Sequence, residues 1–229
     1  MPVLPRTPRH GLRETAGDYD GAADMARSLD ACYGAIRDRV AAGGPAWAFP
    51  GLPRNHYAAI VADPPWHFET WSAKGRDRSP DYPTLRLDQV AELPVGTLAA
   101  PDCALFLWAI DPMLPAALEL GVRWGFTYKT VAFYWAKIGR EAVFWRADDF
   151  PLGTGYWTRS NPEQCLLFTR GKPKRLSRAV RKLIVSPRRE HSRKPDETMD
   201  RIERLVAGPY LELFARHRRH GWDSWGDEL

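Results

Sequence analysis

The sequence predicts an α/β fold, a mostly parallel sheet covered by helices on both faces. Three observations predict it. Short apolar runs of buried-strand type recur along the chain, and segments with helical spacing separate them. The length of 229 residues suits one domain with a sizeable core and is too short for two ordinary ones.

Taken in order, residues 1–20 are rich in Pro, Arg and Gly without a period and read as a loose arm. From Gly21 to Ala42, apolar residues from Ala22 and Met25 to Ile36 and Val40 recur at spacings of three and four, which predicts a helix. Gly43 to Pro53, broken by Gly43-Gly44 and three prolines, ends that helix as a linker. Residues 1–53 therefore form an N-terminal arm, helix and linker, and 54–229 the main domain. In that domain Tyr57 to Ala62 is a buried strand, Leu87 to Leu98 a short helix and Cys103 to Ile110 a second strand. Pro112 to Leu120 follows as a helix, then strands at Phe126 to Lys137, Gln164 to Arg170 and Lys182 to Val185. Pro195 to Val206 is a helix with Asp196 and Glu197 at the positive end of its dipole, and Tyr210 to Phe214 a last strand. In such sheets ligands bind beyond the carboxyl ends of the strands, so the turns after those ends are the place to look for a site.

Composition narrows the class. Hydrophobic residues at 44% and charged residues at 27% exclude a chain disordered throughout. The longest apolar run, Cys103 to Ile110, is far short of the ~18 residues of a membrane span. No basic start followed by an apolar stretch marks a secretory leader. Three cysteines, Cys32, Cys103 and Cys165, form no CxxC pair and no even disulfide set, so a reducing cytoplasm is expected and a zinc site is not.

The net charge of +5 is unevenly placed. Arg170 to Lys194 holds eleven basic residues against one acid, Glu190, a segment of +10 that leaves the other 204 residues at −5. Such a block fits a polyanion, most simply nucleic acid, and equally fits a solvated Arg-rich loop.

Directly after the first core strand stands Asp63-Pro64-Pro65-Trp66. Two prolines fix φ near −65° and contribute no N–H, so the carbonyls of the turn are expected to face outward without local donors, as rigid acceptors (the Asp63 carboxylate and the Pro64 carbonyl) beside the aromatic plane of Trp66. The exocyclic amine of an aromatic base is a poor nucleophile because its lone pair is delocalised into the ring. Two acceptors gripping its hydrogens pull the nitrogen toward tetrahedral geometry, while an aromatic face stacks on a flipped base.

With this motif the chain resembles the MT-A family of adenine N(6)-methyltransferases. The resemblance runs from about Tyr57 to Leu229 and rests on an ordered series of blocks: ADPPW (62–66), YPTL (82–85), ALFLW (104–108), GTGYWTR (153–159), RKPDE (193–197), IERL (202–205), ELFAR (212–216) and GWDSWG near the end. Residues 71–76 and the KPKRLSR block look most like bacterial and phage members. The resemblance implies a Rossmann-like, S-adenosylmethionine-dependent methyltransferase sheet with the catalytic motif before the cofactor strand. It implies Asp63, Pro64, Pro65 and Trp66 as catalytic residues, and Lys194 close to cofactor and substrate. Glu212, Leu213, Phe214 and Arg216 match the strand end beside the cofactor, with Asp63 near its methionine amino group. Asp227 and Glu228 fall where the family pairs with the ribose hydroxyls, although Asp227 stands for the usual Asn. Arg218-Arg219 after ELFAR likewise departs from the His-Asn of eukaryotic members. Tyr82 matches an aromatic that gates the substrate. Lys74, Arg76, Arg78, Arg188 and Arg189 are candidate phosphate contacts, each with a solvated surface charge as the alternative.

No metal-ligand spacing accompanies these residues, and methyl transfer from a sulfonium needs no metal. His56, His67 and His191 are read as structural or substrate-facing. Trp108 ends the second strand and fits the core equally well. The expected activity is methyl transfer to the 6-amino group of adenine, in DNA before RNA. A non-catalytic nucleic-acid-binding subunit is the alternative from another class, against which the intact DPPW argues. No separate recognition domain fits in this length, so specificity falls to loops such as 67–83 and 139–160.

Overall fold

Every strand expected from 54 onward forms, and one more follows. The computed structural model describes residues 48–66, 87–139, 149–153, 155, 157–189 and 193–226. The predicted helix at 21–42 and the candidates Lys74, Arg76, Arg78, Tyr82, His67, His191, Asp227 and Glu228 lie outside the described residues.

Among the described residues the strands are β1 (Tyr57–Ala62), β2 (Ala99–Ala109), β3 (Thr127–Ile138), β4 (Glu163–Arg170), β5 (Leu183–Pro187), β6 (Tyr210–Leu213) and β7 (Trp222–Trp225). The α-helices are α1 (Leu87–Glu92), α2 (Leu114–Arg123) and α3 (Glu197–Leu205). One seven-stranded sheet has the order β5-β3-β4-β2-β1-β6-β7. All neighbouring pairs are parallel except those of β4, which runs against both β2 and β3. A single reversed strand has a useful consequence. The carboxyl ends of six strands and the amino end of β4 share one edge of the sheet.

Two apolar layers hold the sheet. One face packs Ile60, Leu105, Leu107, Leu166 and Phe168 against Val90 of α1 and Ala117 and Leu120 of α2. The other packs Ala59, Val61, Phe106, Trp108, Phe133, Trp135 and Cys165 against Met199 and Ile202 of α3. β1 and β2 sit in the middle, buried on both faces, which is why they read as continuous apolar runs. Phe49, from the stretch read as linker, is also fully buried and meets Trp225 edge-on at 5.0 Å.

Boundaries moved where prolines and short range prevail. The expected helix from Leu87 to Leu98 is six residues of α1 and then, past Pro94, a 3₁₀ turn at Val95–Thr97. The helix expected from Pro112 begins at Leu114 after a 3₁₀ turn at Asp111–Met113. β7 was not expected, because four residues with Asp and Ser between two Trp carry too little period to read.

The basic segment is not one patch. Arg170 closes β4 at the amino edge, where its guanidinium donates to the Gly96 carbonyl. Arg175 bridges to Val206 beyond the end of α3, still on that side. Arg188, Arg189, Arg193 and Lys194 follow β5 and stand at the carboxyl edge. The antiparallel course of β4 and the parallel course of β5 force this division. Buried Arg201 of α3 ties the two parts to the fold by donating to the carbonyls of Arg181 and Leu183.

Candidate active site

Register decides what meets at the carboxyl edge. Ala62 pairs with Leu107 of β2 and Leu213 of β6, so Asp63 emerges beside Trp108 and Phe214. Trp108 pairs in turn with Cys165 of β4, and Trp135 of β3 with Glu163. Alternation along a strand sends every second side chain to the same face. Lys137 lies two residues after Trp135, Glu163 two before Cys165 and Asp63 two after Val61, all in phase with the layer under α3.

The loop between β5 and α3 closes this face with Lys194. Its Nζ donates to Asp63 Oδ2 at 2.7 Å and lies 3.2 Å from Glu163 Oε2. It also sits 5.5 Å from the centre of the Trp108 ring, within cation–π reach. Lys137 pairs with the other oxygen of Glu163 and lies 5.3 Å from the Trp135 ring. The result is a part-buried chain of alternating charge: Asp63, Lys194, Glu163, Lys137.

Each charge has a physical setting. Burial pushes the Asp63 carboxyl above the usual carboxylate range, and Lys194 counters this only in part. Against its own burial, Glu163 is held below that range by Lys194 and Lys137. Against its burial, Lys194 is held above the ordinary lysine range by Asp63 and Glu163, so it remains an ammonium. On the neighbouring strand, burial and then the charge of Asp63 push Glu212 up to about 7. Glu212 pairs with Ser224 of β7, whose buried hydroxyl oxygen has no partner among the described residues. Arg216 is near enough to Asp63 to favour its ionised form.

The DPPW turn is rigid, with two corrections to the sequence reading. The Pro64 carbonyl does have a local donor, the Trp66 backbone N–H at 2.8 Å, which leaves one lone pair for a ligand. Trp66 is not an open aromatic plane: it is 8% exposed, packs in the core and donates from its indole N–H to the Trp108 carbonyl at 3.1 Å. The tryptophan thus locks the turn to the end of β2. Trp108 itself is core, 1% exposed.

The remaining candidates divide. Leu213 is buried in the sheet, while Phe214 takes φ +61° and meets Trp225 edge-on at 5.6 Å. Arg188 and Arg189 line a cavity of about 310 Å³ with Ile138 and Gly139. Arg189 and Arg193 both bond Asp196 and, against its burial, hold that carboxyl below its usual range. Arg219 is engaged elsewhere, paired with Asp200 at 2.6 Å and Glu203 at 3.1 Å on α3. Among the described residues no group of three His, Cys, Asp or Glu could hold a metal, and no helix is long and apolar enough to cross a membrane.

Sequence reasoning missed Glu163 and Lys137. The available signal was phase: each is a charge in step with a buried face at a strand end. The direction of β4, which brings Glu163 to the site edge, was not readable from the sequence.

A sheet with one reversed strand and a paired-charge site at its carboxyl edge defines a Rossmann-like α/β methyltransferase fold. The chain belongs to the MT-A70 family, whose model matches residues 57–228. It is similar to the type II methyltransferase M.MunI of a Mycoplasma species, 36% identical over 201 residues that cover 79% of this chain and 81% of that protein. It is also similar to the mouse N(6)-adenine-specific methyltransferase METTL4, 36% identical over 193 residues, 76% of this chain and 37% of that protein. The human N(6)-adenosine-methyltransferase catalytic subunit METTL3 is 30% identical over 179 residues, 76% of this chain and 28% of that protein.

Proposed function

We propose that this protein transfers the methyl group of S-adenosylmethionine to the 6-amino group of adenine in nucleic acid, with DNA as the substrate. The observation that carries the reading is the Asp63–Lys194–Glu163 cluster, a pair of carboxylates bridged by one ammonium where the DPPW turn leaves β1.

The residues fit such a donor. Glu212, poised near 7 beside Asp63, and the Ser224 hydroxyl, which has no partner among the described residues, leave polar capacity open at the strand end. A ligand with an ammonium, a sulfonium and a ribose supplies cations and donors there. Asp63, Lys194, Glu212, Phe214 and Arg216 would hold it, joined by Asp227 and Glu228 at the end of the chain. When bound, it supplies a methyl carbon on a positively charged sulfur.

The chain's own groups do the rest. Asp63 and the second lone pair of the Pro64 carbonyl would accept the two hydrogens of the adenine amine and orient its nitrogen for attack. Lys194 holds Asp63 in place through their hydrogen bond. Accepting the methyl group in exchange for the donor's C–S bond would build positive charge on the amine, which the Asp63 carboxylate would stabilise. Its raised carboxyl range makes Asp63 a better acceptor for the proton then lost. Pro65 and Trp66 keep the turn rigid, and Arg188 and Arg189 hold the phosphate backbone.

DNA over RNA is supported by coverage: the type II enzyme matches along most of its own length, the adenosine enzyme along about a quarter. Incubation with labelled S-adenosylmethionine and single- and double-stranded DNA and RNA, followed by mass spectrometry of nucleosides, tests the reading. N(6)-methyldeoxyadenosine is expected, and lost with Asp63→Ala. N(6)-methyladenosine alone would move the substrate to RNA. Binding of nucleic acid without transfer would favour a non-catalytic subunit.

A further inference from the structure

β3 ends at Ile138 and β4 begins at Glu163, both at the carboxyl edge, so the connection between them starts and ends beside the site. Its foot is tied down. The Asn161 side chain accepts from the Lys137 backbone N–H at 3.0 Å and donates to the carbonyls of Lys137 at 2.9 Å and Pro151 at 3.0 Å. The Gly139 N–H donates to Asp149 at 2.7 Å, and the Gly153 N–H to Ser160 at 2.6 Å. Two glycines let the chain close on itself. A Cβ at Gly153 would stand 2.5 Å from the Ser160 carbonyl oxygen, and one at Gly155 1.8 Å from that of Thr158.

The described part of the connection before β4 carries Trp157, 90% exposed, with Leu152 at 78% and the exposed Arg159 nearby in sequence. A single exposed apolar residue is ordinary. A tryptophan held on a braced loop is different, because the ordering entropy of its backbone is already spent. Lys137, the anchor of the loop, is the residue that pairs with Glu163 in the site, so the loop and the paired charges share one fixed point.

Resting on the methyltransferase reading, which it deepens, we infer that Trp157 is a stacking platform for the nucleobase next to the target adenine. Extrusion of the adenine leaves its neighbour with one bare face. The indole plane replaces that lost stacking, and Arg159 faces the adjoining phosphate. Every base has a π-face, so this contact adds affinity without reading sequence.

The test compares wild type with W157A, W157L and W157F on random-sequence oligonucleotides and labelled S-adenosylmethionine. W157A and W157L are expected to raise KM for nucleic acid by about tenfold, with the Kd for S-adenosylmethionine unchanged by calorimetry. W157F recovers most of the loss, since a ring stacks and a leucine does not. Equal KM in all four proteins, or leucine matching phenylalanine, overturns the stacking role while wild-type transfer keeps the wider reading. No transfer by wild type to any nucleic acid overturns the wider reading and this inference with it.

Discussion

Lys194 holds its Nζ 2.7 Å from Asp63 Oδ2 across 131 positions of chain, and reaches Glu163 with the same ammonium. With Lys137 on the other oxygen of Glu163, this shared ammonium balances two carboxylates that would otherwise repel in a part-buried setting. The pair joins the turn after β1 to the loop before α3, so the site assembles only when both halves of the sheet are in place.

Lys194→Met is expected to cost stability as well as activity. It leaves Asp63 and Glu163 without their shared partner, a loss of about 3–5 kcal/mol for breaking a buried pair. Denaturant midpoints at pH 8 check this. The deficit should narrow as pH falls through the carboxylate range, where protonated groups need no countercharge, and adding Glu163→Gln should restore part of it.

Glu212 gives a pH dependence of opposite sense to that of a paired carboxylate. Its carboxyl titrates near 7 in the fold, against 4.5 as its ordinary value. Between these values the folded chain holds a proton that the unfolded chain has released. Its contribution to stability is therefore full below about 4.5 and declines as pH rises through 7. Unfolding at pH 5 and pH 8 should show wild type losing more stability than Glu212→Gln. Affinity for S-adenosylmethionine, a cation, should instead rise with pH through 7, and that rise should vanish in Glu212→Gln.

Trp66→Phe separates packing from hydrogen bonding. The ring is largely kept, but the bond to the Trp108 carbonyl is lost and that buried acceptor is stranded, at a cost of about 1–3 kcal/mol. A lower melting temperature with a larger fall in kcat than in nucleic-acid affinity is expected, because the DPPW turn loses its lock to β2. An intact kcat would show that the turn holds its geometry unaided.

The divided basic segment predicts a divided salt response. Arg188→Ala, at the carboxyl edge, should weaken nucleic-acid binding and reduce the slope of log K against log salt by about one unit. Arg175→Ala, at the amino edge, should leave that slope unchanged in the same titration.

Much of the fold was legible because buried strands and amphipathic helices carry their own periods. β1 was read to the residue, and α3 was marked by Asp196, Glu197 and its apolar spacing. The DPPW motif was legible as chemistry because proline's fixed φ and missing N–H are local properties. Trp66 was misread for the complementary reason. Whether an indole faces solvent or a carbonyl 42 residues away depends on packing, not on its neighbours in sequence. Glu163 and Lys137 were missed on the same ground.

The sequence by itself determined the α/β class, the position of the DPPW turn at a strand's carboxyl end and the family, because these rest on local patterns and on an ordered series of motifs. Only the tertiary structure decided that Glu163 joins Asp63 and Lys194, that Trp66 is a lock, and that the basic segment serves two edges. All three follow from strand direction and register, which long-range pairing sets. Reversing β4 brings its first residue to the site and sends Arg170 to the far side, a choice made by the whole sheet.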